Sequence, residues 1–218
     1  LAAPNVELHE AHSLRNADFA SMQHAVEHYL QSIDARPKHA ALAVACPVGS
    51  DEIRLTNRAW SFSRRELQRT LGLDELRMIN DFGAVAWAVP SLERDSLVTL
   101  HGDPAAPLRG PISVLGPGTG LGAALRFEGG ERPVLASEAG HAALNACNGL
   151  ELEVLSRLLQ RWEHVDNERV LSGGGLMNLY PCLCEMRGVA PQWTSTEALI
   201  AAARQGDDAL AVETLQVF

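Results

Sequence analysis

The chain has 218 residues, enough for one large domain or two small ones around a buried core. Apolar residues make up 46% and charged residues 21%, ordinary for a soluble globular protein, and the formal net charge of −9 is spread along the chain without a Lys/Arg cluster, which argues against a nucleic-acid partner. No apolar run approaches membrane-spanning length, no signal peptide opens the chain, and cysteines at 46, 147, 182 and 184 form neither a metal spacing nor a disulfide framework, so a reducing cytoplasm fits best.

Residues 6–12 alternate and read as a strand. Asn16 stands where it can cap a helix whose apolar residues, Phe19, Met22, Val26, Leu30 and Ile33, recur at three- and four-residue steps. Residues 40–46 are almost continuously apolar, as expected of a strand covered on both faces. Ser63 and Glu66 have the spacing of a capping box, opening a short helix through Leu67 and Leu71 that Gly72 can end. Residues 76–80 form another strand, and 82–89 a helix ended by Pro90. Residues 102–111, with three prolines and two glycines, read as a linker between lobes. Residues 150–162 and 174–187 read as helices, the second burying or half-burying Cys182 and Cys184. Thr194 and Glu197 cap another helix, and Asp208 starts a last one. Strands and helices alternate in an α/β order, with no internal repeat and no low-complexity tract.

The segment Ile112-Ser-Val-Leu-Gly-Pro-Gly-Thr-Gly-Leu-Gly122 carries the most chemistry. A short strand feeds a loop with glycine at 116, 118, 120 and 122 and a hydroxyl at Thr119. Glycine at that density lets the backbone take up positive φ and approach a ligand, so that successive N–H groups converge on an anion, phosphate above all. Gly118, Gly120 and Ala123 satisfy a loose dinucleotide fingerprint, with Glu138 at a tolerable distance for a ribose contact. That fingerprint needs a helix at the loop. Residues 123–127 instead run into Gly129-Gly130 and a further extended run over 132–136, the pattern of a β-hairpin. A P-loop fails too, because no Gly-Lys-Ser/Thr follows. The remaining readings are a strand, phosphate-gripping turn and strand, or a glycine-rich hairpin with no ligand.

Other polar residues have both a functional and a plain reading. Asn80 and Asp81 close the 76–80 strand, where ligands gather in open α/β sheets and a carboxylate is placed to take a proton; the plain reading is a helix N-cap. Glu138-Ala-Gly-His141 sets a carboxylate and an imidazole in one small turn, a pairing also common in surface loops. Glu168 can be a solvated first-turn acid or a partner of Arg169, and Asn57-x-x-Trp60 an ordinary turn over a buried indole.

In series, these segments resemble the bacterial glucokinases of the hexokinase-type, actin-like ATPase superfamily. The resemblance covers nearly the whole chain. It rests on Ala45-Cys-Pro-Val48, Thr56-Asn-Arg-Ala-Trp60, Ile79-Asn-Asp-Phe82, Ala88-Val-Pro90, Leu115-Gly-Pro-Gly-Thr-Gly-Leu-Gly122, Glu138-Ala-Gly-His141, Glu168-Arg-Val-Leu-Ser-Gly173 and Leu176-Met-Asn-Leu-Tyr180. It implies an α/β, two-lobed actin-like ATPase (ribonuclease-H-like) fold, incomplete at both ends: a small lobe over 1–101, the linker 102–111, and part of a large lobe over 112–218. The implied reaction is ATP-dependent phosphorylation of glucose at its 6-hydroxyl, with Asp81 as catalytic base. Asn57, Asn80, Asp81, Glu138, His141 and Glu168 would hold the sugar. Gly116, Gly118, Thr119 and Gly120 would grip ATP phosphate, with Mg²⁺ bridging phosphate oxygens.

A cytoplasmic homodimer with no membrane or nucleic-acid partner goes with the resemblance. So does the absence of a structural zinc, because the cysteine-rich motif of the related ROK kinases does not follow His141. The 218 residues also depart from the family pattern. They contain no Asp-x-Gly-Gly-Thr-Asn phosphate motif and no closing Gly-Gly adenosine motif, and Ala139 stands where glycine is usual. These departures keep a second expectation open, a non-catalytic sugar-binding or regulatory remnant. A nucleotide-dependent oxidoreductase is weakened by the missing helix after Gly122.

Overall fold

A computed structural model describes residues 9–55, 60–107 and 109–218. In chain order its elements are α1 (Met22–Ser32), β1 (His39–Val44), β2 (Glu52–Arg54), β3 (Ser61–Ser63), α2 (Arg64–Thr70), β4 (Glu75–Asn80), α3 (Asp81–Ala88), β5 (Ile112–Pro117), β6 (Leu121–Arg126), β7 (Val134–Ser137), α4 (Gly149–Leu158), α5 (Gly173–Met186), α6 (Thr196–Gln205) and α7 (Ala209–Val217). The chain divides into two compact units, Leu1–Ile112 with Leu125–Leu135, and Ser113–Ala124 with Ala136–Phe218.

In the first unit β1 and β4 pair in parallel, from His39 opposite Glu75 to Val44 opposite Asn80, so both strands end at the same level. β2 and β3 form an antiparallel ribbon with Ile53 opposite Phe62. Val44, Cys46, Ile53, Leu67, Leu73, Leu76 and Met78 make the core beneath them. β1 is not covered on both faces as its composition suggests: its residues alternate between exposed and half-buried or buried. Alanine at every second position tolerates either environment, so an unbroken apolar run does not discriminate the two cases. Ser63 caps α2 by accepting from Glu66 N–H at 3.1 Å. Gly72 follows at φ +67°, a left-handed position where glycine carries no Cβ penalty.

The start of α1 differs from expectation. Asn16 opens only a 3-10 turn, Asn16–Asp18, after which Phe19 is extended at φ −124°, ψ 141° and breaks the helical path. Ser21 caps α1 instead, accepting from His24 N–H at 3.2 Å. The strand expected over 6–12 is absent at residues 9–12, and 6–8 lie outside the described residues.

β5, β6 and β7 form a three-stranded sheet in that order. The expected hairpins are its two connections, 118–120 and the turn where Gly129 and Gly130 take φ of +76° and +85°. The described part of 102–111 contains no regular element. Arg94 fastens part of it by donating to the carbonyls of Pro104, Ala105 and Ala106.

The second unit is built on α5. Leu179, Cys182 and Leu183 face a core with Val154, Leu158, Val165 and Val170. Leu176, Tyr180 and Cys184 face another with Leu199, Ala202, Ala203 and Ala211. Two apolar stripes on one helix explain why it is buried along most of its length. α6 is capped by Ser195, which accepts from Ala198 N–H at 3.2 Å, one residue after the expected Thr194; both hydroxyls are competent caps, and sequence does not choose between neighbours. Asp208 caps α7 as expected. The four cysteines are free thiols: Cys46, Cys182 and Cys184 are buried and Cys147 is exposed. No helix among the described residues is long and apolar enough to cross a membrane.

Candidate active site

In the first unit the candidates gather at the carboxyl ends of the parallel strands. Asn80, the last residue of β4, is the N-cap of α3, its Oδ1 accepting from Gly83 N–H at 3.0 Å. The capping reading therefore applies to Asn80, with its Nδ2 left to donate elsewhere. Asp81 is half-buried in the first turn, and its Oδ1 accepts from Phe82 N–H at 2.9 Å. Its Oδ2 takes no hydrogen bond from the described residues, which is the condition a carboxylate needs to accept a substrate proton. Cys46 lies just beyond the end of β1. Burial, and secondarily the charge of Asp81, hold its thiol above the ordinary range and keep it an unreactive neighbour. Asn57 lies outside the described residues.

In the second unit the glycine loop meets two other segments. Gly118 N–H donates to Gly120 O at 2.7 Å, tightening the turn, while Gly118 O accepts from Gly173 N–H at 2.8 Å. The N–H groups of Thr119 and Gly120, and the Thr119 hydroxyl, make no hydrogen bond to the described residues. Three unspent donors at the tip of a turn fit a phosphate. None of the glycines at 116, 118, 120 and 122 sits at positive φ, so conformational freedom is not what glycine supplies here. The requirement at Gly120 is steric: a Cβ there would lie 2.4 Å from Glu168 Oε2. Gly116 is half-buried at the β5 end of the loop.

Glu138 precedes and His141 ends a 3-10 turn, Ala139–His141. His141 Nδ1 is 3.3 Å from Asp166 Oδ2, and its Nε2 is 3.9 Å from Glu138 Oε2. Glu168 N–H donates to Gly140 O at 2.9 Å, and Asn167 N–H to Ala142 O at 3.0 Å, so the turn and the 166–168 segment run side by side. Gly140 is required by closeness, because a Cβ would lie 2.2 Å from Leu121 O. Glu168 Oε2 accepts from Leu121 N–H at 2.8 Å. The expected sugar ligands Glu138, His141 and Glu168 therefore sit with the phosphate loop in one unit. Glu168 is neither purely solvated nor an Arg169 partner.

Sequence reasoning missed two contributors. Asp166 orients His141, a contact across twenty-five positions that no local spacing announces. The start of α5 also lies against the loop through Gly173. Ser172, buried, caps it by accepting from Gly175 N–H at 2.9 Å, so a helix N-terminus does meet the glycine turn, although it arrives some fifty residues later in the chain. The run Ser172-Gly-Gly-Gly175 was the available signal. Among the described residues no group of three or more His, Cys, Asp or Glu is arranged to hold a metal ion.

A parallel-stranded first unit, and a second unit whose strand–turn–strand offers free donors beside a carboxylate–imidazole cluster, belong to a protein of the actin-like ATPase fold. Residues 1–218 match the family described as Glucokinase, and the chain belongs to that family. Among its relatives, the glucokinase of Nitrobacter hamburgensis is 39% identical over 212 residues, covering 96% of this chain and 66% of the relative. That of Saccharophagus degradans is 36% identical, covering 97% and 66%. That of Paramagnetospirillum magneticum is 37% identical over 223 residues, covering 100% and 69%. The chain thus spans about two thirds of the length of these relatives. The crystal structure of a glucokinase from an Antarctic psychrotroph superposes with a TM-score of 0.80 at 34% identity, over 94% of this chain and 64% of that one. The glucokinase of Balamuthia mandrillaris, solved in complex with glucose, shares the fold, with a TM-score of 0.69 at 20% identity over 88% of this chain and 60% of that one.

Proposed function

We propose that this chain carries out ATP-dependent phosphorylation of glucose at the 6-hydroxyl, with Asp81 as the base. The observation that supports this most is the unengaged Oδ2 of Asp81 at the end of a parallel strand, in a chain of the glucokinase family. Asp81 Oδ2 accepts the hydroxyl proton as the oxygen becomes a nucleophile. Asn80 offers Nδ2 to the sugar because its Oδ1 is committed to Gly83. Asn57, Glu138, His141 and Glu168 complete the sugar contacts; amides, imidazoles and carboxylates suit a polyol because each takes a hydroxyl in fixed geometry. Gly116 shapes the loop, and the Gly118, Thr119 and Gly120 stretch presents its free donors to phosphate.

Bound ATP supplies the phosphoryl group, with Mg²⁺ neutralising its charge. Mg²⁺ keeps several waters and binds chiefly through substrate phosphates. The reading includes a small lobe over 1–101 and a large one from 112 onward, a homodimer, a cytoplasmic location and no membrane or nucleic-acid partner.

A coupled assay for glucose-dependent ADP release tests the activity. Asp81→Asn is expected to lower kcat by about 10²–10⁴-fold while calorimetric glucose affinity changes far less. An Asp81→Asn protein of near wild-type turnover would remove the base assignment. Glucose binding without turnover by the wild type would favour the sugar-binding remnant.

A further inference from the structure

Glu168 joins two parts of the second unit that are far apart in sequence. Its backbone seats it on the 138–141 turn through Gly140 O at 2.9 Å. Its Oε2 accepts from Leu121 N–H at 2.8 Å, the first amide of β6. A Cβ on Gly120 would lie 2.4 Å from Oε2 and 2.9 Å from the carboxyl carbon, so the loop backbone closes directly over this carboxylate. Oε1 takes no hydrogen bond from the described residues. One oxygen is spent on the loop and the other is open.

We propose that Glu168 is a positioning residue that couples sugar occupancy to the shape of the phosphate loop. The proposal rests on the glucose-phosphorylating reading above. A carboxylate is rigid and planar, so fixing Oε1 on a sugar hydroxyl fixes Oε2 and, through Leu121 N–H, the loop beyond it. Linkage makes the effect reciprocal: a disturbed loop weakens the sugar as a disturbed sugar site loosens the loop.

Two measurements on the purified full chain test this. By hydrogen exchange without glucose or nucleotide, Glu168→Ala is expected to speed exchange at the Leu121 amide by about tenfold or more, the loss of one protecting hydrogen bond. Glu168→Gln, whose amide oxygen still accepts, restores most of the protection. By calorimetry without nucleotide, Gly120→Ala, whose methyl presses the loop against the Glu168 carboxylate, is expected to weaken glucose binding by about fivefold or more, within the usual range of coupling. Combined with Glu168→Ala it adds little further loss.

Unchanged Leu121 exchange in Glu168→Ala, or wild-type glucose affinity in a folded Gly120→Ala, overturns the proposal. If Gly120→Ala does not fold, the exchange comparison with the Gln rescue decides. A wild type that binds no glucose overturns the underlying reading and the coupling with it, and its titration alone identifies that failure.

Discussion

Asp208 binds more tightly into its surroundings than a helix cap requires. Its Oδ1 accepts from Leu210 N–H at 2.8 Å and Ala211 N–H at 3.1 Å, while Oδ2 accepts from Trp193 Nε1 at 2.8 Å and Tyr180 Oη at 3.2 Å. Burial by itself raises its pKa, but the bonds from Trp193, Ala211, Leu210 and Tyr180 together outweigh that and hold it below the ordinary carboxylate value. A depressed pKa stabilises the fold above the unfolded value, about 3.9, and that stability is lost as pH falls through the folded value. Asp208→Ala is therefore expected to lose about 2–3 kcal/mol in urea unfolding at pH 7, from the missing cap and the orphaned Trp193 and Tyr180 donors. The difference from wild type shrinks below pH about 4; an equal loss at pH 7 and pH 3 would show that the charge is irrelevant. The capping role was legible from one residue beside a helical pattern. The Trp193 and Tyr180 contacts were not, because they come from segments fifteen and twenty-eight positions away. Glu168 shows the same limit at the candidate site, where its residue type was readable and its bond to Leu121 was not.

At the scale of elements, the start of α5 shows how one local sequence can hold opposite requirements. Gly174 and Gly175 both occupy the first turn, where glycine costs backbone entropy and alanine is normally preferred by up to about 1 kcal/mol. A Cβ on Gly174 would meet nothing nearer than Ser172 Oγ at 3.8 Å, whereas on Gly175 it would lie 2.1 Å from Val170 O. Gly174→Ala is expected to be neutral or to stabilise by up to about 1 kcal/mol. Gly175→Ala is expected to destabilise by about 1–3 kcal/mol through overpacking against backbone. Equal urea midpoints for the two variants would contradict the close approach of α5 to the 166–170 segment. Helix existence followed from periodicity, and even Pro181 inside α5 did not hide it, since the apolar stripes continue on both sides. Caps were less legible. Ser63 and Asp208 were found, while Asn16 and Thr194 gave way to Ser21 and Ser195, because neighbouring chain geometry decides which of several competent residues ends outside the helix.

For the whole molecule, no residue of the first unit's core is shared with either core of the second. The linear boundary at 102–111 was drawn from proline and glycine content. The compact units group 125–135 with the first unit, an assignment that composition cannot signal. Each unit carries two tryptophans, Trp60 and Trp87 in the first, Trp162 and Trp193 in the second, so each unit has its own reporters. Leu179 and Ile53 are both fully buried, one in each unit. Truncating either to alanine is expected to cost about 2–5 kcal/mol. With Trp60 and Trp87 replaced by phenylalanine, fluorescence reports the second unit, and Leu179→Ala should lower its urea midpoint more than Ile53→Ala does. With Trp162 and Trp193 replaced instead, the order should reverse. Separate cores predict this crossing because each truncation leaves its cavity among contacts made within one unit only. Equal shifts from both reporter pairs would mean that the units unfold as one cooperative body.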